Sequence, residues 1–157
     1  MEKRSIHMWL DAYGESHRNK VNKAIHWICV PVIYFCVVGF LASIPPDELP
    51  WIGRIPWANL AVGLALIGFY LPRSVLLMFG MAVWSYFCLR LTKVLIDQAP
   101  WPLSAICAVL FTLAWVGQLY GHKVEGKKPS FLKDLQFLMI GPAWLMADIY
   151  RRLGVPY

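Results

Sequence analysis

The residues of this chain that could do chemistry lie in two polar stretches set within apolar sequence. The first is YGESHRNKVNKAIH, residues 13–26, and the second is QLYGHKVEGKKP, residues 118–129. Together they hold three of the four histidines: His17, His26 and His122. Tyr13 and His17 are four residues apart, as are Asn22 and His26, and Gln118 and His122; Glu125 follows His122 by three. Residues three or four apart share a helix face, so each set is a candidate cluster. Imidazole suits Fe, Zn, Cu and Ni. Three imidazoles from separate elements can hold a divalent ion and leave positions open for O2 and a substrate. A carboxylate such as Glu125 would then complete the set or orient a ligand from behind. Histidine alone does not choose iron over zinc. One histidine at a membrane end is commonly just an interfacial side chain; three at one face, in phase with Asn, Gln and Glu, argue for a site. His7, in the N-terminal segment, is a surface or packing residue, with a fourth ligand as the alternative.

The spacing imposes a structural condition. His17 and His26 are nine residues apart, roughly two and a half turns, and would point in opposite directions on one straight helix. Asn19 and Asn22 are good N-cap residues. A break at residues 18–22, with Asn22 as the cap, would start a new helix and let His17 turn back towards His26.

The elements that must position these residues are written in the composition. Of 157 residues 59% are hydrophobic and 15% charged, whereas a soluble domain carries ~45–50% and ~25%. The apolar residues fall in blocks at 24–44, 57–71, 74–92 and 99–121, predicting four transmembrane helices in an all-α membrane bundle. The first block, at 1.5 Å per residue, spans ~31 Å. The second is short and bracketed by Pro56 and Pro72. Residues 1–21 read as an amphipathic N-terminal helix. The run at 135–147, with Pro142 inside, is too short to cross and reads as re-entrant or interfacial within a C-terminal segment, 122–157. The whole chain reads as a single domain, with no cleavable signal peptide visible in its polar first twenty residues.

Four crossings would put twelve of the fifteen Lys and Arg residues on one side and Arg54, Arg90 and Lys93 on the other. The positive-inside rule then places both termini in the cytoplasm. His26 and His122 are separated by an even number of crossings and can meet at that face; if the short second block did not cross, they could not. The net charge of +6 follows from this topology and from anionic lipid headgroups, and nothing points to nucleic acid. Cys29, Cys36, Cys88 and Cys107 lie inside apolar blocks without CxxC pairing, as buried thiols do. Trp51, Trp57, Trp101 and Tyr120 stand near block ends as interface residues. HExxH, GxSxG and phosphate-loop motifs are absent.

The combination Tyr13-x3-His17, Asn22-x3-His26 and Pro31, then Gln118-x2-Gly121-His122-x2-Glu125-x3-Pro129 and Gly141-Pro142, resembles the yeast 2-hydroxy fatty acid dioxygenase family over nearly the whole chain. Asp148 stands where the family pattern has Glu, and Val30 where it has Gly. The resemblance implies Fe(2+)-dependent alpha-oxidation, in which a 2-hydroxy fatty acid and O2 yield the acid one carbon shorter. It implies His17, His26 and His122 as metal ligands. Tyr13, Asn22, Gln118 and Glu125 are then candidate catalytic residues, and Lys123, Lys127 or Arg18 would attract the substrate carboxylate. The expected setting is the bacterial inner membrane, or the endoplasmic reticulum in a eukaryote, with the site cytoplasmic, membrane lipids as surroundings and a homodimer as the assembly to test. The alternatives are a non-catalytic lipid- or haem-binding membrane protein, or a membrane hydroxylase or desaturase. Enzymes of the latter kind carry about eight histidines in HxxxH and HxxHH boxes, and this chain has four.

Overall fold

The structure, a computed structural model, describes residues 5–46, 48–49, 53–127 and 137–157. The order is α1 (Ile6–Gly14), α2 (Lys20–Ala42), a two-residue antiparallel pair β1 (Glu48–Leu49) and β2 (Gly53–Arg54), α3 (Trp57–Leu64), α4 (Val75–Gln98), α5 (Leu103–Glu125) and α6 (Phe137–Leu153). A π-helical segment, Ala65–Tyr70, continues α3. The chain is an all-α bundle, and β1–β2 only closes the loop after α2.

Among the described residues three helices, α2, α4 and α5, are long and apolar enough to cross a membrane. Most of their surface faces outward: Ile28, Phe79, Val83, Phe87, Leu113 and Val116 are all at least 58% exposed. Such an exterior suits a hydrocarbon solvent rather than water. The second apolar block forms the shorter helix Trp57–Tyr70. It nonetheless brings the chain back through the bundle. Ala58 and Val62 pack with Val38, Leu103 and Cys107 at one end, and Tyr70 lies among Leu77, Ile140 and Trp144 at the other. The Tyr70 hydroxyl donates to the Met139 carbonyl at 2.8 Å. His26 and His122 accordingly lie at the same end of the bundle, their rings 4.8 Å apart.

α2 and α5 form the most extensive interface, antiparallel and close. Glycine makes the approach possible. A Cβ at Gly117 would stand 2.9 Å from the Cys29 sulfur; one at Gly39 or Gly121 would press harder still on Cys107 or Asn22. Gly117 and Gly121 are the small-xxx-small pair by which apolar helices pack in a bilayer. All four cysteines are buried and free.

The two ends of the expected N-terminal helix behave differently from the simple reading. α1 is confined to Ile6–Gly14, capped by the Ser5 hydroxyl, and buries Ile6, Leu10 and Tyr13 along one face. Lys20 and Val21 already belong to α2. The apolar run near the C-terminus is the core of α6, whose residues 140–148 are all buried against α1, α2 and α4; residues 135 and 136 lie outside the described set. α6 therefore caps the histidine end of the bundle rather than lying bare on its surface. Asp148, 7% exposed, fixes it there. Its carboxylate meets Lys23 of α2 at 3.4 Å, Arg151 at 3.2 Å and Arg152 at 3.0 Å. Arg152 also covers the Trp27 ring at 5.0 Å.

Burial opposes ionisation of Asp148, but Lys23, Arg151 and Arg152 outweigh it and hold the carboxyl below its ordinary pKa. A depressed carboxyl contributes stability above its unfolded pKa of ~3.9, lost as pH falls through the folded value. The three partners are solvated, so the contribution is modest, about 1 kcal/mol. Thermal melts of Asp148→Asn in detergent should show that loss at pH 7, with the gap to wild type shrinking below pH ~4. A gap that persists or widens in acid would mean that the carboxylate charge does not hold α6.

Candidate metal centre

The helix between His17 and His26 is broken. α1 ends at Gly14, and residues 15–19 form a turn in which the amides of Ser16 and His17 bond the carbonyls of Tyr13 and Gly14. Asn19, with extended backbone, caps α2 by accepting from the Val21 amide at 2.8 Å. The break thus precedes the expected one and Asn19 is the cap. Asn22 is instead one turn inside α2 and wholly buried, donating its side-chain amide to the Ser16 carbonyl at 2.9 Å and to Glu125 at 3.1 Å. The turn folds His17 back over the N-terminus of α2, and the α2–α5 contact supplies His122 from the last turn of α5.

His17, His26 and His122 converge and are almost fully enclosed, at 4%, 0% and 5% exposure. Their ring centroids are 4.3 Å (His17–His26), 5.1 Å (His17–His122) and 4.8 Å (His26–His122) apart, all edge-on. One nitrogen from each falls within 4.8 Å of the others. Bonds of ~2.0–2.1 Å to a common ion need nitrogens ~3–3.5 Å apart, so a small inward shift would complete the site. The nitrogens Nε2 of His17, Nε2 of His26 and Nδ1 of His122 are buried and have no hydrogen-bond partner among the described residues. A buried unsatisfied polar atom costs ~1–3 kcal/mol. An ion shared by the three rings could take all three lone pairs. The donor set is neutral and all-imidazole, which suits Fe, Zn, Cu or Ni.

Electrostatics keep the lone pairs available. Burial, reinforced by His26, drives the pKa of His17 down to about 3, against the raising effect of its bond to the Tyr13 carbonyl. The ring is neutral at pH 7. Tyr13 stacks on His17 at 4.1 Å and 13°, and burial pushes its hydroxyl pKa up, so it stays a phenol. Trp144 of α6 closes the other side, 5.3 Å from His17 and 5.5 Å from Tyr13, with Lys23 over its face. No motif or spacing marks Trp144; its place comes from the docking of α6.

Glu125 is joined to the turn and not directed at the cluster as a fourth ligand. Its carboxylate accepts from the backbone amides of Arg18 at 3.0 Å and Asn19 at 2.8 Å, and from Asn22. An anion is unfavourable at the C-terminus of its own helix, α5. Here it faces the N-terminus of α2, where free amides and the helix dipole favour it. Gly126, at φ 72°, ends α5 in the left-handed conformation and leaves Glu125 at the junction. Gln118 is buried one turn before His122. His7 is exposed, pairs with the Tyr157 ring at 5.5 Å and lies outside the cluster, because α1 directs its Ile6–Leu10–Tyr13 face inward and His7 away. Lys127 donates to the Glu15 carbonyl at 2.8 Å, while Arg18 and Lys123 are exposed near the same edge. Val30 fills space between α2 and Gly141 of α6, and Asp148 belongs to the α6 ion cluster.

A family model described as 2-hydroxy-palmitic acid dioxygenase Mpo1-like matches residues 3–153, nearly the whole chain. No curated protein and no solved structure matches.

Metal titration of the protein in lipid nanodiscs should give one divalent ion per chain. Loss of one ligand in His17→Ala, His26→Ala or His122→Ala should weaken binding by more than the ~10–100-fold expected for a residue behind the ligands. Glu125→Ala should fall within that smaller range, because it releases the turn but no ligand. Equal losses for Glu125→Ala and the histidine variants would place the carboxylate on the ion.

Proposed function

The chain belongs to the Mpo1-like family of 2-hydroxy-palmitic acid dioxygenases, and on that premise we propose that it is an Fe(2+)-dependent dioxygenase that shortens 2-hydroxy fatty acids by one carbon. The observation that carries this reading is the enclosed three-imidazole cluster with three unpartnered nitrogens. The reaction balances without a reductant. A 2-hydroxy acid and O2 give the next shorter acid, CO2 and water, the four electrons taken up by O2 all coming from the hydroxy acid.

His17, His26 and His122 would hold the iron, which supplies the means of engaging O2 and the hydroxyl and carboxylate oxygens of the substrate. The remaining work falls to the protein. Glu125 and Asn22 fix the turn that carries His17, so that its ring is placed before substrate arrives. Tyr13 and Trp144 shield the His17 ring from water. Tyr13, held as a neutral phenol, is a candidate hydrogen-bond donor to substrate oxygen, and Gln118 a candidate second donor. The substrate is amphipathic. Its tail would lie against the apolar helices and its carboxylate near the cationic edge formed by Arg18, Lys123 and Lys127.

The same edge supports the membrane orientation. Lys20 and Lys23 at the start of α2, Arg73 before α4, and Arg151 and Arg152 of α6 also belong to the histidine end, whereas Arg54 follows α2 and Arg90 and Lys93 lie in the far half of α4. By the positive-inside rule the site and both termini face the cytoplasm, in a bacterial inner membrane or the endoplasmic reticulum. The substrate then arrives from the cytoplasmic leaflet.

Anaerobic loading with Fe(2+), followed by O2 and a C16 2-hydroxy acid, should yield the C15 acid by mass spectrometry. His17→Ala, His26→Ala and His122→Ala should lose product by at least ~10³-fold, while Tyr13→Phe, which removes one hydrogen bond of ~1–3 kcal/mol, should lose ~10–100-fold. No product from the iron-loaded wild type would remove the substrate assignment.

A further inference from the structure

The three imidazoles are not held alike. Nδ1 of His17 lies 2.6 Å from the Tyr13 carbonyl, and Nδ1 of His26 lies 3.0 Å from the Asn22 carbonyl. A carbonyl only accepts, so in both rings Nδ1 carries the proton and Nε2 carries the lone pair. In both, Nε2 is the buried nitrogen without a partner. His122 is reversed: its buried, unpartnered nitrogen is Nδ1. The residue four before it, Gln118, lies on the same helix face, but no bond from the His122 ring to its carbonyl is formed among the described residues. Nothing therefore holds a proton on His122 Nδ1.

We propose that His17 and His26 coordinate through Nε2 and His122 through Nδ1, and that the Nε2–H of His122 hydrogen-bonds the substrate carboxylate. A neutral imidazole that gives its Nδ1 lone pair to a metal must carry its proton on Nε2. The carbonyl bonds of His17 and His26 occupy their N–H groups; His122 alone keeps its N–H for something else. Its place suits a carboxylate. His122 is in the last turn of α5, next to exposed Lys123 and four residues before Gly126, on the side of the cluster that joins the basic edge. Glu125, the acidic residue three positions on, is turned to other partners and accepts from the backbone amides of Arg18 and Asn19 and the side-chain amide of Asn22. A hydrogen bond from a metal-polarised N–H to a carboxylate is charge-assisted and directional. It would fix the acid end, and with it the adjacent hydroxyl-bearing carbon, relative to the metal. The donor role rests on the 2-hydroxy acid reading, whereas the nitrogen assignment does not.

Methylated histidines separate the two nitrogens. Nδ1-methylhistidine blocks Nδ1 and leaves Nε2 free; Nε2-methylhistidine does the opposite. Each is introduced singly into the full chain in nanodiscs, and Fe(2+) alone is titrated anaerobically with no fatty acid present. Nδ1-methylhistidine at position 122 should abolish stoichiometric iron. The same residue at position 17 or 26 should keep iron, weakened ~10–100-fold by loss of the carbonyl bond behind the ligand. Nε2-methylhistidine at position 122 should keep iron at one per chain, and should raise KM for the C16 2-hydroxy acid by ~10-fold with a smaller change in kcat. Iron retained with Nδ1-methylhistidine at 122, or lost with Nε2-methylhistidine there, overturns the nitrogen assignment. Unchanged KM in the latter variant overturns the donor role. A wild type that binds iron but does not turn over the hydroxy acid refutes the substrate reading and the donor role with it, while the iron titrations still decide the nitrogens.

Discussion

Three ring nitrogens, buried in an apolar bundle with lone pairs that no described residue satisfies, set the terms for the rest of this fold. Each costs of the order of 1–3 kcal/mol if left alone. A protein whose stability is a small difference between large terms does not assemble three such costs at one point without a return. An ion shared by the three imidazoles would remove all of them at once. The low pKa of His17 is consistent with this. A ring that resists protonation down to about pH 3 keeps its lone pair available throughout the physiological range.

The cluster in turn depends on how closely α2 and α5 approach. Gly39, Gly117 and Gly121 allow side chains of the opposing helix to occupy the space where a Cβ would stand. That contact brings His26 and His122 together, but His17 comes from outside both helices. Its position relies on Glu125, which is poorly placed for its own helix and well placed for the next one. The junction of α5 with the start of α2 thus serves two purposes. It satisfies amides at a helix N-terminus, and it ties the third imidazole to the other two. α6 completes the enclosure from above with Trp144, and its own attachment runs through Asp148 to Lys23 on α2.

Much of this was legible in the chain because local rules and the bilayer constraint agree. Apolar block length predicts the long helices, and the parity of crossings predicts that His26 and His122 share an end. The nine-residue spacing of His17 and His26 requires a break, and the chain has one. Its position was less legible, because Asn19 and Asn22 are equally good caps by residue type. Tertiary contacts decide between them: Asn22 is taken up by Ser16 and Glu125, leaving Asn19 to cap. The length of 135–147 says only that the run is too short to cross, which leaves re-entrant and interfacial placements open. Residues 140–148 are buried because α1, α2 and α4 together form a surface for them, and no periodicity in the segment reveals that surface. The contribution of Trp144 to the site was hidden for the same reason.

The most direct test of the three-imidazole site is X-ray absorption at the metal edge of the protein extracted from cells grown with iron. A three-histidine iron site should give bound iron with a shell of about three imidazole nitrogens at ~2.0–2.2 Å, the remaining positions filled by light oxygen atoms and with no sulfur. A shell containing sulfur or the four equatorial nitrogens of a haem, or a protein that retains no metal at all, would contradict it.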